Sequence, residues 1–301
     1  MTFDTLLIPT DGSDPAEAAA DRGFDLAAQL EASVHVLSVA DSSVATGAGY
    51  SGDSASIRSR LRERADARAK SLRERATDRG LDATATVREG IPAEEIVRYA
   101  DEQALDGIVI GTSGRGGVAR AIVGSVADKV VRTAPVPVVT ITPEAADTTA
   151  ATFDSVLCPT DGSEPATTAI QRGFTLGDRL EATVHLLSVV DGDLANSLVT
   201  VSDTDIDPSS ALYERAESHL DALATRGRDR GLDVVMATRD GKPAEAIVDY
   251  VETEDIDLIV MGTAGRGGFE RALVGSVTDA VVRTAPVPVL TVRPDGTTDE
   301  Q

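Results

Sequence analysis

The 301-residue chain carries 50 Asp and Glu against 28 Lys and Arg, a net charge of −22, with 42% hydrophobic and 3% aromatic residues. Its length is about twice that of a common domain, which predicts two domains, and its apolar share suits packed cores rather than a disordered chain. One cysteine, Cys158, excludes an internal disulfide and a cysteine-based zinc site, and three scattered histidines (His35, His185, His219) argue against a histidine metal centre. No uncharged stretch is long enough to span a bilayer; the best, Thr133 to Pro143, is short and interrupted by proline. The sequence enters an apolar run at Thr5-Leu6-Leu7-Ile8 without a basic leader, which predicts a cytoplasmic protein.

Only three of the bases are lysine (Lys70, Lys129, Lys242). An acidic, lysine-poor surface stays hydrated in molar salt, where the Debye length is about 3 Å and self-repulsion is screened. The composition therefore predicts a halophile. The acids are scattered rather than blocked, which argues against an acidic protein built to capture a basic partner. A charge of −22 also disfavours sequence-independent binding to nucleic acid.

The chain is a tandem duplication. Residues 2–41 match residues 152–191 at 25 of 40 positions, and residues 107–142 match 258–293 at 25 of 36. The expected domains are 1–143 and 153–294, with a polar linker at 144–152 and an acidic tail at 295–301. Within the first half, Phe3–Pro9 is an apolar strand ending at Thr10-Asp11-Gly12-Ser13-Asp14-Pro15, a turn with capping and helix-starting residues. A helix follows over Ala16–Leu30, then a strand over Val34–Ala40. After the polar stretch Asp41–Asp53, apolar residues at 57, 61, 65, 69, 72 and 76 predict a helix stopped by Gly80. Ala83–Arg88, Pro92–Glu102 and Gly107–Gly111 read as strand, helix and strand. Ser125–Thr133 reads as a helix, and Val136–Thr142 as a last strand whose prolines place it at a sheet edge. The fold class is α/β, two tandem doubly wound domains, each a five-stranded parallel sheet with helices on both faces. Ligands of such sheets bind at the carboxyl ends of the strands, where strand order reverses.

The chemistry concentrates after the fourth strand. Gly111-Thr-Ser-Gly114 and Gly124-Ser125-Val126 recur as Gly262-Thr-Ala-Gly265 and Gly275-Ser276-Val277. Glycines there allow positive φ and close approach of the backbone to a ligand, and a helix start at Ser125 offers N–H groups to phosphate. The competing reading is a glycine-rich turn with a serine N-cap. Neither the Gly-x4-Gly-Lys-Ser/Thr loop nor a Gly-x-Gly-x-x-Gly after the first strand is present.

The spacing Gly-x2-Gly-x9-Gly-Ser, the Pro-Thr-Asp-Gly-Ser after strand one, Gly-x-Pro-Ala-x-x-Ile at 90–96 and 241–247, and the closing Ala-Pro-Val-Pro-Val, each present twice, resemble a tandem universal stress protein. The resemblance implies an adenine nucleotide alpha hydrolase-like fold that binds ATP, ADP or AMP, with or without Mg. It places Pro9, Asp11 and Val39 at the nucleoside, and Gly111, Gly114, Gly124, Ser125 and Val126 at the ribose and phosphates. The second set is Pro159, Asp161, Val189, Gly262, Gly265, Gly275, Ser276 and Val277, with Thr278 as an added hydroxyl where the first half has Ala127. That hydroxyl predicts a second site at least as tight as the first.

The residues themselves leave alternatives open. Asp11 also suits helix N-capping and turn formation, His35 and His185 suit a structural role, Cys158 suits a small core residue, and Arg115 and Arg266 suit either phosphate clamping or solvent. The helix over 53–79, with nine bases and five acids, suits a salt-bridged face or a dock for an acidic partner. Function reads as a nucleotide-dependent stress or signalling module. A slow ATP hydrolase or nucleotidyl transferase is disfavoured because no general base stands in the glycine segment, and a nucleotide-free dimerisation scaffold is disfavoured by the glycine signature. The two fifth strands are expected to pair as a pseudo-dimer of the halves, with a homodimer of chains as a further level.

Salt removal tests the composition. At about 10 mM ionic strength the Debye length reaches about 30 Å and like charges repel across a whole domain. Circular dichroism should show loss of structure between molar and millimolar KCl; a fold indifferent to that change would contradict the halophilic reading.

Overall fold

The structure, a computed structural model, describes residues 3–41, 54–113, 123–148, 151–191, 208–263 and 274–293. The chain divides into two compact units, Met1–Thr152 and Phe153–Gln301. The first contains β1 (Thr5–Thr10), α1 (Asp14–Gln29), β2 (Ser33–Asp41), α2 (Ser54–Asp78), β3 (Ala83–Gly90), α3 (Pro92–Glu102), β4 (Gly107–Gly111), α4 (Ser125–Thr133), β5 (Val138–Ile141) and a one-turn α5 (Pro143–Ala146). The second contains β6 (Ser155–Thr160), α6 (Glu164–Leu180), β7 (Thr183–Val190), α7 (Pro208–Arg228), β8 (Val234–Asp240), α8 (Pro243–Thr253), β9 (Leu258–Gly262), α9 (Ser276–Thr284) and β10 (Val289–Val292).

All strand pairs within a unit are parallel. The first unit runs β3-β2-β1-β4-β5 and the second β10-β9-β6-β7-β8. In the first, β1 pairs with β2 along its whole length and with β4 at Leu6↔Gly107 and Leu7↔Ile108. Strand order therefore reverses between β1 and β4, and in the second unit between β6 and β9. The inner strands are near-continuous apolar runs because helices cover both faces, whereas the outer strands β3 and β8 are partly exposed and carry charged residues near their ends. Leu7, Val34, Val36, Leu37 and Ile108 are fully buried, as are Leu157, Val184, Leu186 and Ile259.

The expected elements form, with boundaries moved by no more than two residues. The last strand keeps only Val138–Ile141 of the span 136–142, because Pro137 has no N–H for a ladder. The polar connection after it begins as a helical turn. Thr142 caps α5 by accepting from the Ala145 N–H at 3.0 Å, and Ala145 is buried. Four residues are too few to show a period, so only the cap and Pro143 signal it.

The basic helix α2 resolves into two parts. Near its C-terminal end it is clamped to α1: Arg75 donates to Glu17 (2.6 Å) and Asp21 (2.5 Å), and Arg79 to Asp21 (2.9 Å) and Asp25 (3.1 Å). Its buried edge is the narrow ladder Ala65, Ala69, Leu72 and Ala76. Toward its start, Arg58, Arg60 and Arg64 are exposed.

His35 and His185 are structural. Each Nδ1 lies 3.0 Å from a tyrosine hydroxyl, Tyr99 for His35 and Tyr250 for His185, joining strand to helix within each unit. Arg88 lies over the Tyr99 ring and Arg239 over the Tyr250 ring. Cys158 is a buried spacer whose thiol is pushed up to about 12 by burial, so it stays protonated.

Burial lowers both imidazole pKa values from the ordinary 6.5, so the neutral ring is the native form. As pH falls through 6.5 the unfolded chain takes up these protons before the folded one does. Stability should therefore be full above about pH 6.5 and decline below it. Thermal melts in molar KCl between pH 7.5 and 5.5 check this. Replacing both histidines (His35→Asn with His185→Asn) should flatten the profile, and an equally steep decline in that variant would assign it elsewhere.

Candidate nucleotide-binding site

Each unit brings two chain segments together at its strand-order reversal. One follows the first strand. Gly12 adopts φ +72°, its N–H donating to Thr10 Oγ1 at 3.0 Å. Asp11 Oδ1 accepts from the Ser13 N–H (3.0 Å) and the Ser13 hydroxyl (2.6 Å). Ser13, not Asp11, caps α1 by accepting from the Ala16 N–H. The second unit repeats the turn: Gly162 has φ +79° and Asp161 accepts from the Ser163 N–H at 2.9 Å. One oxygen of Asp11 thus shapes the turn while the residue stays partly open to solvent. Pro9 and Pro159 are buried within their strands, while Val39 and Val189 are half-buried near the carboxyl ends of β2 and β7. The Ser38 hydroxyl donates to Thr10 O at 3.0 Å, tying β2 to the end of β1.

The other segment follows the fourth strand. Thr112 donates its N–H to Ile141 O (2.9 Å), and its own carbonyl accepts from the Gly124 N–H (2.6 Å). Thr263 repeats this with Val292 O (2.9 Å) and Gly275 (2.7 Å). The chain thus leaves and rejoins the sheet at one carbonyl, which sets the start of α4 at the tip of β4. Gly114 and Gly265, with Arg115 and Arg266, lie outside the described residues.

The described glycines of this segment act by lacking a side chain, not by positive φ. Gly124 and Gly275 have φ −61° and −60°, in extended conformation. A Cβ on Gly124 would stand 3.3 Å from Thr112 O, and one on Gly111 would stand 3.1 Å from Ala19 Cβ and 3.3 Å from Pro15 O. Gly111 lets α1 sit close against β4. The serine after each glycine is not the cap: Gly124 and Gly275 are the N-caps, and Ser125 and Ser276 are the first helical residues, both exposed.

What distinguishes α4 and α9 is how their first turns are finished. Helices α1, α5 and α6 each have a capping hydroxyl and a proline in the first turn, and α3 and α8 have the proline. At α4 and α9 there is neither a side-chain cap nor a proline. Their first N–H groups, with the positive end of the helix dipole, stand at the strand-order reversal, the arrangement that holds phosphate.

The Thr278 hydroxyl takes a different partner from the expected one. It is buried and donates to Gly262 O at 2.8 Å, tying α9 to the end of β9. Ala127, also buried, makes no such tie. The reason for expecting a tighter second site is thereby removed. Thr112, Thr263 and Ser38, which hold the segments in place, were not singled out by sequence, since their partners lie across the sheet.

A model of the universal stress protein family matches residues 2–142 and, again, 152–293. The chain belongs to this family. It is 30% identical over 221 residues to a universal stress protein of Mycobacterium tuberculosis, covering 72% of this chain and 70% of that one. It is 34% identical over 139 residues to a universal stress protein of Methanocaldococcus jannaschii, covering 46% of this chain and 82% of the relative. The fold matches the crystal structure of a universal stress protein from Archaeoglobus fulgidus, with TM-score 0.71 at 20% identity over 96% of both chains. No helix among the described residues is long and apolar enough to cross a membrane, and they contain no cluster of His, Cys, Asp and Glu able to hold a metal ion.

Packing and exposed first-turn positions should separate experimentally. Gly111→Val should drive α1 from β4 and destabilise the first unit by about 1–3 kcal/mol. Ser125→Ala, at an exposed first-turn position, should change stability by less than about 0.5 kcal/mol. Thermal unfolding in molar KCl measures both, and equal effects would contradict the division of roles.

Proposed function

We propose that this protein is an adenine-nucleotide-binding stress or signalling module with one site in each half. The carrying observation is that α4 and α9, alone among the helices whose starts are described, open with neither side-chain cap nor proline. Phosphate binds those N–H groups, and Asp11 and Asp161 stand at the nucleoside end with Val39 and Val189 lining it. Mg accompanies ATP as its usual counter-ion, with no cage of protein ligands required. The family membership and the doubled glycine signature support the same reading.

Binding rather than catalysis fits the side chains. In-line phosphoryl transfer needs a group that positions or deprotonates the nucleophile at the phosphate. Among the described residues around the starts of α4 and α9, Asp128 and Asp279 are the acidic first-turn residues, and each is tied to an arginine one turn on. Arg132 Nε lies 3.0 Å from Asp128, and Arg283 Nε lies 2.8 Å from Asp279. Nucleotide occupancy then acts by changing conformation or the surface offered to a partner.

Proline substitution provides the test. Gly124 at φ −61°, ψ 147° already has the backbone that a following proline demands. Ser125→Pro should therefore keep α4 while deleting one N–H and the hydroxyl. Titration calorimetry with ATP in molar KCl should find two sites in the parent chain and one in Ser125→Pro or Ser276→Pro, with unchanged circular dichroism. Two undiminished sites in both variants would overturn this placement, and no heat from ATP, ADP or AMP would overturn the nucleotide reading.

A further inference from the structure

The two halves differ along the helix that, in the first half, covers the turn after the first strand. In the first half, the side chain of Arg68 on α2 lies directly on Gly12. A Cβ at Gly12 would meet Arg68 Cδ at 2.7 Å and Cγ and Nε at 2.9 Å each. The arginine stem thus covers the residue next to Asp11. Arg64 and Arg60 precede it by one and two helical turns, both exposed and forming no ion pair among the described residues. Successive members at this spacing are rotated by about 40° and separated by about 6 Å, so the three form one cationic stripe leading to the Asp11 turn.

The second half has a different set. Gly80 and Gly231 end α2 and α7 in the same left-handed conformation, φ +83° and +85°. The buried ladder Ala69, Leu72 and Ala76 corresponds to Leu220, Leu223 and Gly227. In that register Arg60, Arg64 and Arg68 become Ala211, Arg215 and His219. The Nε2 of His219 is buried without a hydrogen-bond partner among the described residues.

Resting on the nucleotide reading above, we propose that the first half selects an adenine nucleotide carrying a second phosphate on its ribose, and that Arg68 is the residue that selects it. A carboxylate beside a ribose favours free hydroxyls, and an added arginine is what admits a ribose phosphate in dinucleotide-binding folds. The first half sets such an arginine against Gly12, the residue next to Asp11. The stripe behind it gives a dianionic group further positive charge, and the guanidinium fork matches phosphate geometry. The second half, with an imidazole at that register, takes the nucleotide with an unmodified ribose.

The test compares AMP with adenosine 3′,5′-bisphosphate and adenosine 2′,5′-bisphosphate in molar KCl. One half is read at a time, using Ser276→Pro to silence the second site and Ser125→Pro to silence the first. The first half should bind one bisphosphate roughly tenfold more tightly than AMP, the size of a charge-assisted hydrogen bond. Arg68→Met should bring that ratio near one, and Arg68→Lys should keep part of it. In the second half the ratio should stay near one, and His219→Arg should raise it, a gain that no loss of folding can imitate. A first half that binds AMP as tightly as both bisphosphates, or a ratio unmoved by Arg68→Met, would overturn the proposal. Absence of AMP and ATP binding in the parent chain would instead overturn the nucleotide reading on which it rests.

Discussion

The hydrogen bond from the Gly124 N–H to Thr112 O, repeated from Gly275 to Thr263, sets the geometry on which each site depends. It joins the end of the fourth strand to the start of the helix that follows. Because Thr112 is itself bonded to Ile141 at the end of β5, the helix start is fixed to the sheet at the strand-order reversal. Every other helix with a described start finishes its first turn internally, by a hydroxyl, a proline or both. These two leave their donors for something else. Backbone N–H groups held this way bind an anion with little reorganisation, since the sheet has already fixed them.

Much of the fold was legible in the sequence because parallel sheets demand fully apolar strands and helices announce their starts. The Ser13-Asp14-Pro15 turn, Pro92, Pro243 and the strands around Leu7 and Ile108 all carry local signals, and the structure places them as read. Matching the two halves made each reading a repeated one. The less legible features are contacts across the sheet. The hydroxyl of Thr278 looked available to a ligand, yet it bonds to Gly262 sixteen residues earlier. Glycine at 124 suggested positive φ, whereas its use is to admit a carbonyl at close range. Arg68 read as one base among nine on a solvated helix, because only tertiary packing brings its stem onto Gly12.

The halves share a scaffold and differ in electrostatics. The ionic clamp of Arg75 and Arg79 on Glu17, Asp21 and Asp25 belongs to the first half, where the second has Thr167, Gln171 and Thr175 in place of the three acids. Exposed pairs of this kind contribute little and are weakened in molar salt, so their role is to fix the lie of α2 rather than to stabilise strongly. The lie of α2 in turn decides where Arg68 stands. Duplication thus kept Gly-Ser-Val at both helix starts, while the helix between the second and third strands of each half diverged.

The central claim is that ligand phosphate meets the first N–H groups of α4 and α9. The most direct measurement is an ATP titration in molar KCl followed through the backbone amide resonances of the 15N-labelled protein. The amides of Ser125, Val126, Ser276 and Val277 should show the largest shifts, with Asp11 and Asp161 moving to a lesser degree. Shifts that leave both helix starts unmoved while clustering elsewhere would contradict the account.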